Sequence, residues 1–120
     1  MTGALTIDYT YSAAVLRIID GDTVEAALDC GLSVHVVERV RLLGINSPET
    51  RGATRPAGEA AAAYLAELIG DGPIFVRTIK DRRGKYGRYL GILLDRNGRD
   101  LNQAMVDAGH AEPWGITRAS

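Results

Sequence analysis

Between Ala13 and Leu43 the apolar residues come in β-branched runs or at every second position, which predicts strands rather than helices. A-A-V-L-R-I-I-D (13–20) is one such run, and D-T-V-E-A-A-L (22–28) alternates after the Asp20-Gly21 turn. D-C-G-L supplies another turn, and S-V-H-V-V-E-R-V-R-L-L (33–43) is a long strand with Arg and Glu interleaved. From Asn46 to Gly58 turn formers dominate, and Pro48 and Pro56 disfavour helix near them. The Ala-rich stretch from Gly58 to Gly70 predicts a helix stopped by Gly70 and Gly72. I-F-V-R-T-I (74–79) and Y-L-G-I-L-L (89–94) predict a fourth and a fifth strand joined by a basic turn. Asn97-Gly98 marks a turn, and a short helix follows with Asp100 as its N-cap and Gly109 as its stop. The order β-β-β-α-β-β-α is that of a five-stranded OB-type barrel, an α+β fold that is mainly β.

Composition narrows the class without naming it. A chain of 120 residues with 46% hydrophobic content suits one globular domain with one core. Cys30 is the single cysteine, which excludes an intrachain disulfide and a cysteine-built zinc site. No stretch has the length and apolar purity of a membrane span. The N-terminus shows no basic and apolar secretory signal, so an intracellular, cytoplasmic location is expected. The net charge is −1, yet residues 77–99 hold Arg77, Lys80, Arg82, Arg83, Lys85, Arg88, Arg96 and Arg99 against Asp81 and Asp95. That is +6 locally and −7 elsewhere. A basic hairpin of this kind is either a solvated surface or a place for a phosphodiester.

Taken singly, the polar residues have ordinary explanations. Asp20, Gly21 and Asp22 suit a β-turn, Arg41 a barrel rim, Glu49 a loop cap, and Arg88 a solvent-facing strand end. His35 and His110 lack metal-ligand spacing, and Cys30 has no acid–base partner near it in sequence. Their order is less ordinary. I-I-D-G-D-T-V, R-L-L-G-I-N-S-P-E-T, K-Y-G-R and L-N-Q-A-M-V-D-A-G-H-A follow one another along the chain. This series resembles the staphylococcal nuclease (thermonuclease-like) family over roughly residues 13 to 112. The resemblance implies an OB-fold nuclease domain at 13–114, an N-terminal extension at 1–12 and a tail at 115–120.

The resemblance also implies chemistry. Hydrolysis of a phosphodiester adds water to an anionic phosphorus, so positive charge and a positioned nucleophile are required. Arg41 and Arg88 match guanidinium groups that grip the non-bridging oxygens, for which a planar fork suits better than an ammonium. Glu49 matches the residue that orients or deprotonates the water. Asp22, the side chain of Asn46 and the carbonyl of Ser47 match ligands for Ca²⁺, which takes hard oxygen donors. Lys85 and Tyr86 match contacts to a neighbouring terminal phosphate. Trp114 lies near the place of family tyrosines and either stacks on a base or covers the bottom of the barrel.

Asn46 departs from the family, which prefers Asp there, and an amide gives the metal an oxygen without a charge. The resemblance implies a Ca²⁺-dependent nuclease that acts on DNA and/or RNA, lacks strong sequence selectivity and leaves 3′-phosphates; a monomer that prefers single strands is expected. The alternative is a nuclease-like OB module that has lost turnover and binds single strands or a protein partner.

Overall fold

The first strand, β1 (Thr10–Asp20), pairs antiparallel with β2 (Thr23–Asp29), which pairs antiparallel with β3 (His35–Leu42). The structure, a computed structural model, describes residues 8–83 and 87–114. Lys85 and Tyr86 lie outside the described residues. A two-residue strand, β4 (Ile45–Asn46), and a 3₁₀ turn at Gly52–Thr54 lead into α1 (Arg55–Ile69). β5 (Ile74–Arg83) runs antiparallel to β1, and β6 (Tyr89–Leu94) pairs with β5 and, in parallel, with β3. The barrel thereby closes in the order β1-β2-β3-β6-β5. α2 (Leu101–Asp107) follows, and β7 (Glu112–Pro113) pairs with β4 as a separate two-stranded sheet. This is the mainly-β OB-type barrel with two helices that the order of elements predicts.

Alternation along the strands makes the core. Val24, Ala26 and Leu28 of β2 and Val40 and Leu42 of β3 are buried at every second position, so they share the inward face. α1 adds Gly58, Ala61, Leu65 and Ile69, a spacing of three and four that puts them on one helical stripe. Leu65 is fully buried, and removing such a side chain from water stabilises by about 2 kcal/mol.

Two details differ from the sequence expectation. α1 begins at Arg55, three residues before Gly58, with Pro56 inside its first turn. A proline is accommodated there because first-turn amides have no intrahelical acceptor to lose. The β4–β7 pair is too short to show any periodicity and is not among the elements that the sequence predicts; it draws Glu112 beside Asn46.

One buried polar residue joins three elements. Asn102, on α2, is fully buried; its Oδ1 accepts from the Leu93 amide, and its Nδ2 donates to the carbonyls of Gly91 and Leu43. Those groups lie on β6 and just past β3, so one amide fastens α2 to the strands carrying Arg41 and entered from Arg88. α2 itself is capped as expected, with the Asp100 side chain accepting from the Gln103 amide. Asn102→Ala leaves the buried Leu93 amide without its acceptor and takes a donor from the Gly91 and Leu43 carbonyls, the former still held by the Leu43 amide; it is expected to destabilise the fold by about 3 kcal/mol in urea unfolding. A loss below about 1 kcal/mol would show that the three groups find other partners.

Candidate active site

The turn between β1 and β2 carries the acid on which the site is built. Asp22 is 6% exposed, and both its oxygens are engaged: Oδ1 accepts from the Thr23 hydroxyl at 2.9 Å and Oδ2 from the Ser47 amide at 2.9 Å. Its own carbonyl accepts from the Leu42 amide at 2.7 Å. The Asp20–Asp22 turn is therefore bolted to the end of β3 and to the loop after β4. Gly21 permits this closeness, since a Cβ there would stand 2.8 Å from the Ala61 Cβ and 3.0 Å from the Ser47 hydroxyl. Ser47 Oγ is buried in the same place with no hydrogen-bond partner among the described residues.

Arg41 extends from β3 into this frame and is 9% exposed. Its Nη1 donates to the carbonyls of Leu42 (2.9 Å) and Ile45 (2.8 Å). Nη2 lies 3.5 Å from Asp22 Oδ2 and donates a longer bond, 3.3 Å, to Asn46 Oδ1. Burial pulls the guanidinium below the usual arginine range, as does the nearby Arg88, while Asp22 and Asp20 oppose that shift. The parallel pairing of β3 with β6 brings the arginines together, because Val40 is in register with Tyr89 and Arg41 with Leu90. Two like charges close enough to be felt at Arg41 are a place that a bound anion would suit. Arg88 itself is half-buried at the entry to β6.

Trp114 lies with its ring centroid 5.5 Å from the Arg41 guanidinium carbon, a cation–π contact, and its amide donates to the Gly44 carbonyl. It is 61% exposed, so it covers Arg41 on one side and does not close the bottom of the barrel.

Glu49 sits on the loop after β4 with its side chain exposed. Its backbone is held from three sides. The Thr54 hydroxyl donates to the Glu49 carbonyl at 3.0 Å, and Asp20 Oδ1 accepts from the Thr50 hydroxyl (2.9 Å) and amide (3.2 Å). Gly58 on α1 lies against the same peptide, where a Cβ would fall 2.0 Å from the Glu49 oxygen. Sequence reading missed Gly58 and Thr50 as the residues that place Glu49, because the predicted helix starts at Gly58 and its fourth-position glycine shows only in the structure.

Asp22, Asn46 and the Ser47 carbonyl offer hard oxygens on adjoining segments, which fits Ca²⁺ in kind. Their charge is sparse, because Asp22 already faces Arg41 and Asp20 is engaged by Thr50. Among the described residues no three His, Cys, Asp or Glu side chains gather as a metal cluster. The basic hairpin also divides. Arg77 turns to Thr10 and Asp8, and Arg96 donates to the carbonyls of Pro73 and Ile69 at the end of α1, so these two serve the fold.

A cleft of about 610 Å³ adjoins the site, walled by Asn46, Pro48, Ala57, His110 and Glu112. His110 stacks on Tyr64 there, with ring centroids 4.8 Å apart, and so has a packing role.

Comparison with known proteins matches this arrangement to one family. The profile described as Staphylococcal nuclease homologue matches residues 39–118. An uncharacterized endonuclease of Escherichia coli is 33% identical over 97 residues, covering 81% of this chain and 57% of the relative. The thermonuclease of Staphylococcus intermedius is 34% identical over 85 residues, 68% of this chain and 48% of the relative. The succinoglycan biosynthesis protein ExoI of Rhizobium meliloti (strain 1021) is 33% identical over 102 residues, 78% of this chain and 48% of the relative. The chain thus spans about half the length of these relatives. By the profile match and by these identities, the chain belongs to the staphylococcal nuclease homologue family.

Proposed function

We propose that this chain is a phosphodiesterase that hydrolyses DNA and/or RNA, prefers single strands, has low sequence selectivity and depends on Ca²⁺. The observation that carries the reading is the Arg41 guanidinium, fixed by two backbone carbonyls and Asp22 within the electrostatic reach of a second arginine, Arg88. Preorganised charge of this kind stabilises a transition state because it does not reorganise during the reaction. Two of the relatives above are named an endonuclease and a thermonuclease.

Arg41 and Arg88 would hold the non-bridging oxygens of the scissile phosphate, with Arg41 exchanging its long bond to Asn46 for one to phosphate. Glu49, on its bolted loop, would accept a proton as water oxygen bonds to phosphorus. The P–O5′ bond then breaks, leaving a 3′-phosphate and a 5′-hydroxyl, with the electron pair on the departing 5′ oxygen taking up a proton. Asp22, Asn46 and the Ser47 carbonyl would hold Ca²⁺, which when bound neutralises phosphate charge and helps organise water.

The alternative, a strand-binding or protein-binding module without turnover, is favoured by one observation: the four donors of Arg41 Nη1 and Nη2 already face protein oxygens. The discriminating experiment is digestion of single-stranded DNA in millimolar Ca²⁺ against the same mixture with EGTA. Cleavage that EGTA abolishes is expected. Cleavage indifferent to EGTA removes the metal role, and no cleavage with any divalent ion moves the module reading to first place.

Arginine roles are separable by kinetics. Arg41→Ala and Arg88→Ala are each expected to lower kcat by at least about 100-fold, because their contacts strengthen in the transition state. Arg77→Ala, whose guanidinium lies on Thr10 and Asp8, should leave kcat within about two-fold. Equal losses in all three would show that general positive charge, not geometry, drives the reaction.

Asn46→Asp adds a carboxylate to a donor set with little free charge, so calorimetric Ca²⁺ affinity should rise by about ten-fold. Arg41, already on the Asn46 oxygen, limits the gain by pairing with the new charge. An unchanged affinity would show that position 46 does not reach the metal.

A further inference from the structure

On the face of β3 opposite Arg41, the inside of the barrel opens to solvent. Alternation points Val40 and Leu42 inward and Arg41 outward, and Val40 forms the floor of a cavity of about 160 Å³. Tyr9, Tyr11 and Tyr89 supply its aromatic walls, with Val36, Cys30 and Thr78 at the sides. The mouth is open for a topological reason. β6 begins opposite Val40, so His35–Arg39 of β3 have no ladder to β6 among the described residues.

The wall chemistry selects the occupant. Among the described residues that line the cavity the charged one is an acid, Glu38. Phenol rings and aliphatic groups suit a flat, uncharged ring. The volume equals that of about five waters, room for one ring system but not for a whole nucleotide. The cavity lies across β3 from Arg41, and the two are neighbours along the chain. Tyr89 directly follows Arg88, Val40 directly precedes Arg41, and Val40 and Tyr89 are register partners. Successive residues sit about 3.8 Å apart and face opposite sides of a strand. A strand gripped by its phosphate on the outer side can therefore swing an adjoining base over the start of β6 into the mouth.

We propose that the open mouth of the barrel is a nucleobase subsite, taking one unpaired base of the strand held by Arg41 and Arg88 and stacking it against Tyr11 and Tyr89. The inference rests on the nucleic-acid reading of the arginine pair. Stacking accepts any base, because every base has a π-face, but the base must leave a duplex to enter. The subsite thus gives single strands an advantage without sequence readout.

Cys30 lies exposed on the cavity wall and is the only cysteine of the chain, so its alkylation by iodoacetamide reports occupancy without reference to catalysis. A short single-stranded DNA at saturation is expected to slow that alkylation about ten-fold, and to bind about ten-fold tighter than the same strand with an abasic residue at the critical position. Tyr11→Leu removes a platform. Val36→Trp plugs the mouth from its rim, at a side chain that is 36% exposed and outside the buried core. Both should cancel the preference for the intact strand while hydrolysis of the abasic strand stays within about two-fold. The proposal is overturned if saturating strand leaves Cys30 alkylation unchanged, or if both variants, shown folded by circular dichroism, keep the preference. Protection of Cys30 without hydrolysis of any strand supports the subsite and counts against the nuclease reading.

Discussion

The buried carboxylate of Asp22 is the constraint on which the rest of this molecule turns. A charge at 6% exposure is costly unless it is paired and hydrogen-bonded, and Asp22 is both, through Thr23, Ser47 and Arg41. Those partners come from the β1–β2 turn, the loop after β4 and strand β3, segments far apart in sequence. Satisfying one carboxylate therefore assembles the site. The same requirement explains the close packing beneath it, where Gly21 lets Ala61 of α1 and Ser47 crowd the turn.

Stability and chemistry share residues here. Arg41 closes the turn at 45–46 by donating to the Ile45 carbonyl, and in the proposed mechanism it is also the charge offered to a phosphate. Its burial makes it a stronger electrostatic partner than a surface arginine, since fewer waters screen it. That gain is opposed by its occupied donors, and the weakest of them by length, the bond to Asn46, is where a substrate oxygen would enter. An amide at position 46 is suited to this exchange, because it releases the arginine more readily than a carboxylate would. In the proposed mechanism Asn46 would thus lower the charge offered to a metal while easing the release of Arg41 to the substrate.

Much of this was legible in the sequence, and what was not has physical causes. Period-two alternation and the glycine stops located the strands and the long helix, because those signals are local. The motifs brought Asp22, Arg41, Asn46 and Ser47 forward together, and the structure does place them in one network. Three features escaped. The β4–β7 pair is too short to carry a period. The Asp20–Thr50 clamp joins residues 30 apart whose pairing no spacing announces. Formal charge cannot say where a side chain turns, so the sequence left Arg77 and Arg96 among the charges of a basic hairpin, when they secure β1 and the end of α1.

The central claim is that the Asp22 network both orders the site and takes part in phosphodiester hydrolysis. Asp22→Asn keeps the shape of the side chain and removes its charge. The direct measurement is the single-turnover rate of this variant on single-stranded DNA in Ca²⁺, at a temperature where circular dichroism shows it folded. The account predicts a loss of at least about 100-fold, with Arg41 left buried beside a neutral amide. A folded variant that cleaves at the wild-type rate would contradict it.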